Sequence, residues 1–197
     1  MVKVVGITGG IGSGKTTVCK WFEAQSIPVY YADAQAKWLM NHNAELIQKI
    51  KMHFGEDVYE NNTLNRTKLA NLVFRDNVKL NLLNKLVHPA VFAHFEEWKA
   101  QHAHLDFVLK EAALMYESQS YLQVDAVIVV YAPISVRLER VCRRDNVSSE
   151  DVLVRAEKQL SDDYKLHKAD YVIYNDGVHD LNSQLEAAQK WIKRVVG

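Results

Sequence analysis

Residues 9 to 16 read Gly9-Gly10-Ile11-Gly12-Ser13-Gly14-Lys15-Thr16, and no other stretch restricts the fold as strongly. Every fixed position of the pattern G-x-x-x-x-G-K-[ST] is filled. The apolar run Val2 to Ile7 before it reads as a strand, and Thr16 to Gln25 after it reads as a helix. Glycines at such a strand-to-helix turn let backbone N–H groups curl around phosphate oxygens with no Cβ in the way. The helix start adds partial positive charge. Lys15 would then reach the β- and γ-phosphates, and the Thr16 hydroxyl would ligate Mg²⁺. The alternative is an ordinary glycine-rich turn with a surface lysine. The Lys-Thr pair and the strand–helix context speak against it.

The rest of the chain alternates short apolar runs with helical patterns. Strands are predicted at Lys3–Thr8, Pro28–Ala32, Phe107–Glu111, Ala126–Tyr131 and Tyr171–Tyr174. Each is nearly continuous in apolar character, which suits a parallel sheet buried on both faces. With helices between most of them, the fold class is α/β in three layers. Two intervals are too long for simple crossovers. The first, from Asp33 to Asp106, carries helical patterns near Ala34–Asn41, Ala44–Phe54, Thr67–Arg75, Val78–His88 and Pro89–His102. Pro89 reads as a helix start, and the interval as an all-helical insertion able to hold a substrate above the strand ends. The second, from Pro133 to Asp170, holds a basic helix, Ser135–Asp145, and another near Ser149, for which Ser148-Ser149-Glu150-Asp151 is a capping signal. A mobile lid and two packed surface helices are both open readings of it. A final amphipathic helix, about Asp180–Val195, closes the chain.

Composition narrows the function classes. Lys+Arg and Asp+Glu are both 24, so the formal net charge is zero. Nothing global argues for nucleic-acid or anionic-membrane partners, and neither is expected. The two cysteines, Cys19 and Cys142, form no metal or redox motif and read as small buried or half-buried thiols. Met1-Val2-Lys3-Val4-Val5 enters the first strand directly, with no visible signal peptide, and no apolar run approaches the length of a membrane span. A cytoplasmic protein is expected, a monomer or weak homo-oligomer.

Other residues carry paired readings. Asp33, just after the second strand, is either a base for an attacking hydroxyl or the N-cap of the helix at Ala34; the two are compatible. Arg137, Arg140 and Arg144 share one helix face, as phosphate-binding forks or as a solvated face balanced by Glu139 and Asp145. Glu111 ends the third strand, either near Mg²⁺ through water or as a capping or surface carboxylate. His42, His53, His102 and His104 read as helix-surface or helix-end residues, and His88 as structural at a helix boundary. Trp21, Phe22, Phe92, Phe95 and Trp98 read as core. Asn175-Asp176-Gly177 is a turn, or an edge for an adenine ring.

Together these residues resemble the dephospho-coenzyme A kinase family over nearly the whole chain. The resemblance is carried by Gly6-Ile7-Thr8 with the phosphate loop, Ala32-Asp33, and Leu86-Val87-His88-Pro89. Further along come Arg140 with Arg143-Arg144-Asp145, Gln159, and Ala169-Asp170-Tyr171-Val172-Ile173 with Asn175 and Gly177. It implies a nucleotide-kinase-like P-loop NTPase fold with a five-stranded parallel sheet, a helical CoA-binding insertion and a lid. The chain would be one kinase domain: core about 1–33, 105–133 and 169–197, insertion about 34–104, lid about 134–168. The implied reaction is ATP-dependent phosphorylation of the ribose 3′-hydroxyl of dephospho-CoA, with Mg²⁺. The resemblance makes Asp33 the base and has Lys15 and Arg140 stabilise the transferring phosphoryl group. Gly10, Ile11, Gly12, Ser13, Gly14, Lys15, Thr16, Thr17, Arg144, Asn175 and Gly177 fall to the nucleotide. Thr8, Asp33, His88 and Glu111 fall to the acceptor, and Thr16 to the metal.

Three departures stand out. Tyr31 replaces the first aspartate of the usual Asp-Ala-Asp, Ala113 stands at a proline position, and Arg137 stands where glutamine is common. The rival enzyme is another small-molecule or nucleoside-monophosphate kinase of the same architecture. A nucleotide-dependent switch is the rival from another class; Asn84-Lys85-Leu86-Val87 lacks the aspartate of a guanine-specifying element.

Overall fold

The computed structural model describes residues 2–73 and 76–196. The chain divides into two compact units, Met1–Tyr31 with His102–Gly197, and Ala32–Gln101.

The first unit is built on five parallel strands: β1 (Lys3–Thr8), β2 (Val29–Tyr31), then, numbered after two strands of the second unit, β5 (Phe107–Glu111), β6 (Ala126–Tyr131) and β7 (Tyr171–Tyr174). Their order is β2-β5-β1-β6-β7. The register pairs Lys3 with Phe107, Val5 with Leu109 and Ala126, and Val130 with Ile173. The three central strands are buried along almost their whole length, as a sheet covered on both faces requires. On one face lie Val18, Cys19 and Phe22 of α1 (Lys15–Ala24) and Leu185, Ala188 and Ile192 of the C-terminal helix α9 (Leu181–Val196). The spacing 185, 188, 192, 196 puts the buried residues of α9 on one stripe. Between β6 and β7 stand three helices, α6 (Ile134–Asp145), α7 (Ser149–Ala156) and α8 (Asp162–Lys168), one more than the sequence reading found. Ser148 and Asp151 close a reciprocal capping box on α7, as the motif suggests.

The second unit holds α2 (Ala32–His42), α3 (Ala44–Phe54), α4 (Arg66–Val73) and α5 (Asn77–Gln101). Its own core includes Leu39, Leu46, Ile50, Val58, Leu64, Leu69 and Val87. The all-helical expectation is corrected in two ways. First, β3 (Tyr59–Glu60) and β4 (Thr63–Leu64) form a small antiparallel hairpin. Asn61 and Asn62, both at positive φ, make its two-residue turn, a conformation that asparagine tolerates. The hairpin is tied to α2, since Tyr59 Oη donates to Met40 O at 2.6 Å and Asn41 Oδ1 accepts from Leu64 N at 2.8 Å. Second, Pro89 does not start a helix but lies inside α5, so His88 is interior to a helix rather than at its boundary. Proline forfeits one helical hydrogen bond. The helix continues because Leu83, Leu86 and Val87 before it, and Ala90 and Val91 after it, all pack on the same core. Phe95 is buried as expected, whereas Phe92 is exposed. Arg75, the predicted end of α4, lies outside the described residues. Among the described residues no helix is long and apolar enough to cross a membrane.

Candidate active site

The stretch Gly9–Gly14 joins the carboxyl end of β1 to the start of α1. Gly14 is the N-cap of α1, at φ +96°, and no side chain caps that helix. Its first turn also holds no carboxylate. Free N–H groups and an uncompensated helix start favour an anion there. The positive φ disfavours any other residue at 14, and a Cβ would strike the Asn175 amide. The Lys15 ammonium donates to Gly9 O at 2.9 Å and Gly10 O at 3.2 Å, so it is folded over the loop. The hydroxyls of Thr8 and Ser13 are buried, with no hydrogen-bond partner among the described residues. Thr16 and Thr17, in the first turn of α1, are exposed. A loop with unspent donors around it fits a polyphosphate. Mg²⁺ in such sites keeps waters and phosphate oxygens and asks the protein for few ligands. The Thr16 hydroxyl fits that demand, and no cluster of three His, Cys, Asp or Glu is present among the described residues to offer a closed cage.

Two arginines of α6 turn toward this loop. Arg140 donates from Nη1 to Asn175 O at 2.8 Å, and Asn175 Nδ2 in turn donates to Ser13 O at 2.9 Å. Asn175 itself is fixed at the end of β7, its N–H donating to Tyr131 O at 2.7 Å. A chain of contacts thus runs from the basic helix through Asn175 to the phosphate loop. Arg137 is only 5% exposed, which overturns the solvated-face reading at this position. It pairs with Asp162 of α8 at 2.6 Å. A Cβ on Gly10 would collide with the Arg137 guanidinium, so a glycine is needed for this approach. Arg144, by contrast, points outward, paired with Asp145 at 2.7 Å. The shared helix face therefore splits, with Arg137 and Arg140 on the loop side and Arg144 on the solvent side.

The other candidates are placed as follows. Glu111 ends β5, buried, and pairs in register with Ile7 and Tyr31. Burial pushes the Cys19 thiol well above its usual pKa, and the negative charges of Glu111 and Glu23 push it the same way. Tyr31 bonds to the Glu23 carboxylate, and its phenol is also raised, chiefly by burial. The tyrosine that replaces an aspartate is thus part of the sheet edge and its packing. Gly177, at φ +84°, sits in a turn where Asp176 Oδ1 accepts from Val178 N and His179 N. Those bonds hold the Asp176 carboxyl far below the usual range.

In the second unit, α2 begins at Ala32, so Asp33 is inside its first turn and not its N-cap. A carboxylate there still complements the helix dipole. On the same helix Trp38 stacks on His42 at 4.4 Å between ring centroids, with His94 of α5 at 5.8 Å. Ala34, Gln35, Trp38 and His94 line an open cavity of about 420 Å³. His88 is exposed on α5. Sequence reasoning had not singled out Trp38 or His94. Both are isolated aromatics in helical patterns, and only tertiary packing brings them together.

Comparison with known proteins decides among the kinases of this architecture. The family model described as Dephospho-CoA kinase matches residues 3–180. The chain belongs to the dephospho-CoA kinase family. It is 43% identical to a dephospho-CoA kinase of Salinibacter ruber, covering 90% of this chain and 91% of that protein. It is 37% identical to one from Bacteroides fragilis, over 92% and 88%. Among solved structures it resembles TT1252 from Thermus thermophilus, with TM-score 0.85 and 29% identity over 100% and 98% of the two chains. It also resembles the dephospho-CoA kinase from Campylobacter jejuni, with TM-score 0.70 and 25% identity over 100% and 98%. The activity is that of the family: an ATP-dependent kinase acting in coenzyme A biosynthesis.

Proposed function

We propose that the chain transfers the γ-phosphoryl group of Mg-ATP to the ribose 3′-hydroxyl of dephospho-CoA, with Asp33 as general base. The observation that carries the reading is the phosphate loop itself. Lys15 is folded over it, and Arg140 is tied beside it through Asn175. In the reaction the 3′-hydroxyl oxygen bonds to the γ-phosphorus as its proton passes to the Asp33 carboxylate. The bond from phosphorus to the β–γ bridging oxygen breaks, and ADP leaves. Little covalent chemistry is asked of the protein, so positioning and charge stabilisation supply most of the rate.

Lys15 and Arg140 neutralise charge gathering on the phosphoryl oxygens. Backbone N–H groups of the loop and of the start of α1 hold the polyphosphate, those of Ile11 and Ser13 apart, which already donate to Gln159 Oε1 and Gly10 O. The Thr16 hydroxyl would hold Mg²⁺, which would supply neutralisation of phosphate charge. Asn175 and Gly177 lie at the adenine edge. The unit Ala32–Gln101 takes the acceptor, and the open cavity at Trp38 and His94 supports this with an aromatic wall and a polar rim. Residues 134–168 act as a lid that excludes water, since hydrolysis is the wasteful competitor.

The test is ADP release from Mg-ATP, with dephospho-CoA compared against AMP, CMP and adenosine as acceptors. Stimulation by dephospho-CoA alone, with CoA as product, is expected. Turnover with a nucleoside monophosphate and none with dephospho-CoA would keep the fold and overturn the acceptor.

A further inference from the structure

Gln159 belongs to none of the roles above, yet it carries a hydrogen bond from the segment between α7 and α8 to the phosphate loop. Its Oε1 accepts from Ile11 N at 2.8 Å. Its Nε2 donates to Ala113 O, in the loop after β5, at 3.5 Å. The Ile11 N–H is one end of the peptide that joins Gly10 to Ile11. The other end of that peptide, Gly10 O, accepts from Lys15 Nζ at 3.2 Å and from Ser13 N at 3.1 Å. One peptide plane is therefore gripped at both ends, by the Gln159 carboxamide on its N–H and by the Lys15 ammonium on its carbonyl.

The residues that deliver Gln159 are themselves held. Leu160 N donates to Glu117 Oε1 at 2.8 Å, and the same oxygen faces the buried Lys165 ammonium at 3.4 Å. Glu117 thus fixes the backbone next to Gln159 from both the linker and α8. A glutamine tethered in this way is more than a surface amide that found a partner. Turning this peptide plane changes ψ of Gly10, which no Cβ restricts, together with φ of Ile11. Without an acceptor on Ile11 N–H, the Gly10 carbonyl is directed by Ser13 N–H alone, and the seat that it gives Lys15 is held less firmly.

We propose that Gln159 is a positioning residue for Lys15, acting through the Gly10–Ile11 peptide. Its role is indirect: together with Ser13 N–H it holds the direction of the carbonyl on which the phosphate-binding ammonium rests. The inference rests on the reading of Lys15 given above, and the experiment separates the two. Gln159→Met keeps the length of the side chain and removes both hydrogen-bonding atoms. The variant is made in the wild-type chain and in the Lys15→Ala chain. For each, single-turnover rate and kcat with saturating Mg-ATP and dephospho-CoA, KM for dephospho-CoA, and Tm are measured.

In the wild-type background Gln159→Met lowers kcat roughly 10- to 100-fold, the range expected for a misplaced catalytic group, with KM for dephospho-CoA unchanged. In the Lys15→Ala background the same substitution costs about twofold or less, because groups that act as a unit are not additive. Equal factors in the two backgrounds, or an unchanged kcat in the wild-type background, overturn the inference and leave the reading of Lys15 standing. An unchanged kcat for Lys15→Ala alone overturns that reading, and the inference with it. Should the Met chain lose Tm, Gln159→Leu replaces it in the same cycle, and the same outcomes decide.

Discussion

The phosphate loop and the core of residues 32–101 are held by different kinds of contact. Around the phosphate loop the ties are directional. Asn175, Gln159 and Arg140 reach in from remote positions and bond to backbone atoms, and Arg137, paired with Asp162, lies against Gly10. In the unit Ala32–Gln101 the ties are mostly apolar, a packed core of leucine, isoleucine and valine with an aromatic patch left open at Trp38. Directional bonds fix atoms to a few tenths of an ångström, which phosphoryl transfer demands. Apolar packing fixes a shape and tolerates adjustment, which suits a surface for a long acceptor.

The comparison can be broken hardest at Asp33, the one residue of the apolar unit assigned to chemistry. Asp33→Asn should lower kcat by roughly 10²–10⁴-fold, the usual worth of a general base, while ATP affinity measured by calorimetry stays near wild type. Unchanged turnover would reduce Asp33 to a first-turn carboxylate. Arg140→Ala comes next. Removing one preorganised donor costs roughly 10²–10³-fold in kcat, and full kcat/KM in the variant would make the Asn175 tie purely architectural.

Trp38→Ala should raise KM for dephospho-CoA about tenfold, about 1.4 kcal/mol of binding, and leave KM for ATP within about twofold. An equal rise in both constants would deny the acceptor its separate unit. Ile50→Val, one methylene from the middle of the apolar core, should cost about 0.5–1.5 kcal/mol in denaturant unfolding without changing kcat. A large loss of kcat instead would mean that this core is also set for catalysis. The smallest signal comes from the thiols. Burial keeps Cys19 protonated far above neutral pH, so at pH 8 an aromatic disulfide should label Cys142 and spare Cys19 until the chain unfolds. Fast labelling of Cys19 would show that the phosphate side opens more readily than its bonds suggest.

What could be read in advance follows the same division. The five strands of the sheet are legible to within a residue because continuous apolar runs of that length have few other uses. The phosphate loop is legible because its geometry needs particular residues at fixed spacing. In the other unit, local signals misled. Pro89 looks like a helix start, yet packing on both sides of it carries α5 through. The hairpin at Tyr59–Leu64 was missed, although Asn61-Asn62 between two short pairs is a turn signal that was available. In the first unit the short helix α8 is the element that the sequence reading lacks. The burial of Arg137 and the grip of Gln159 were not legible, because both depend on contacts with residues far away in the sequence. Periodicity shows that Arg137, Arg140 and Arg144 share a face; it does not show that the face curves from the loop out into solvent.

The middle strand of the sheet is the first of its strands to be made, and it waits for both of its neighbours. Lys3 to Thr8 leave the ribosome with both edges bare, and their neighbours are Phe107–Glu111 on one side and Ala126–Tyr131 on the other. Asn175, which braces the phosphate loop, is synthesised later still. The nascent chain therefore carries a complete nucleotide motif that has no rigid seat for most of translation. The apolar core of residues 32–101 has every member in hand long before that. Biosynthesis thus separates in time what the finished enzyme uses together, and nucleotide capture becomes a late event in the life of each new molecule.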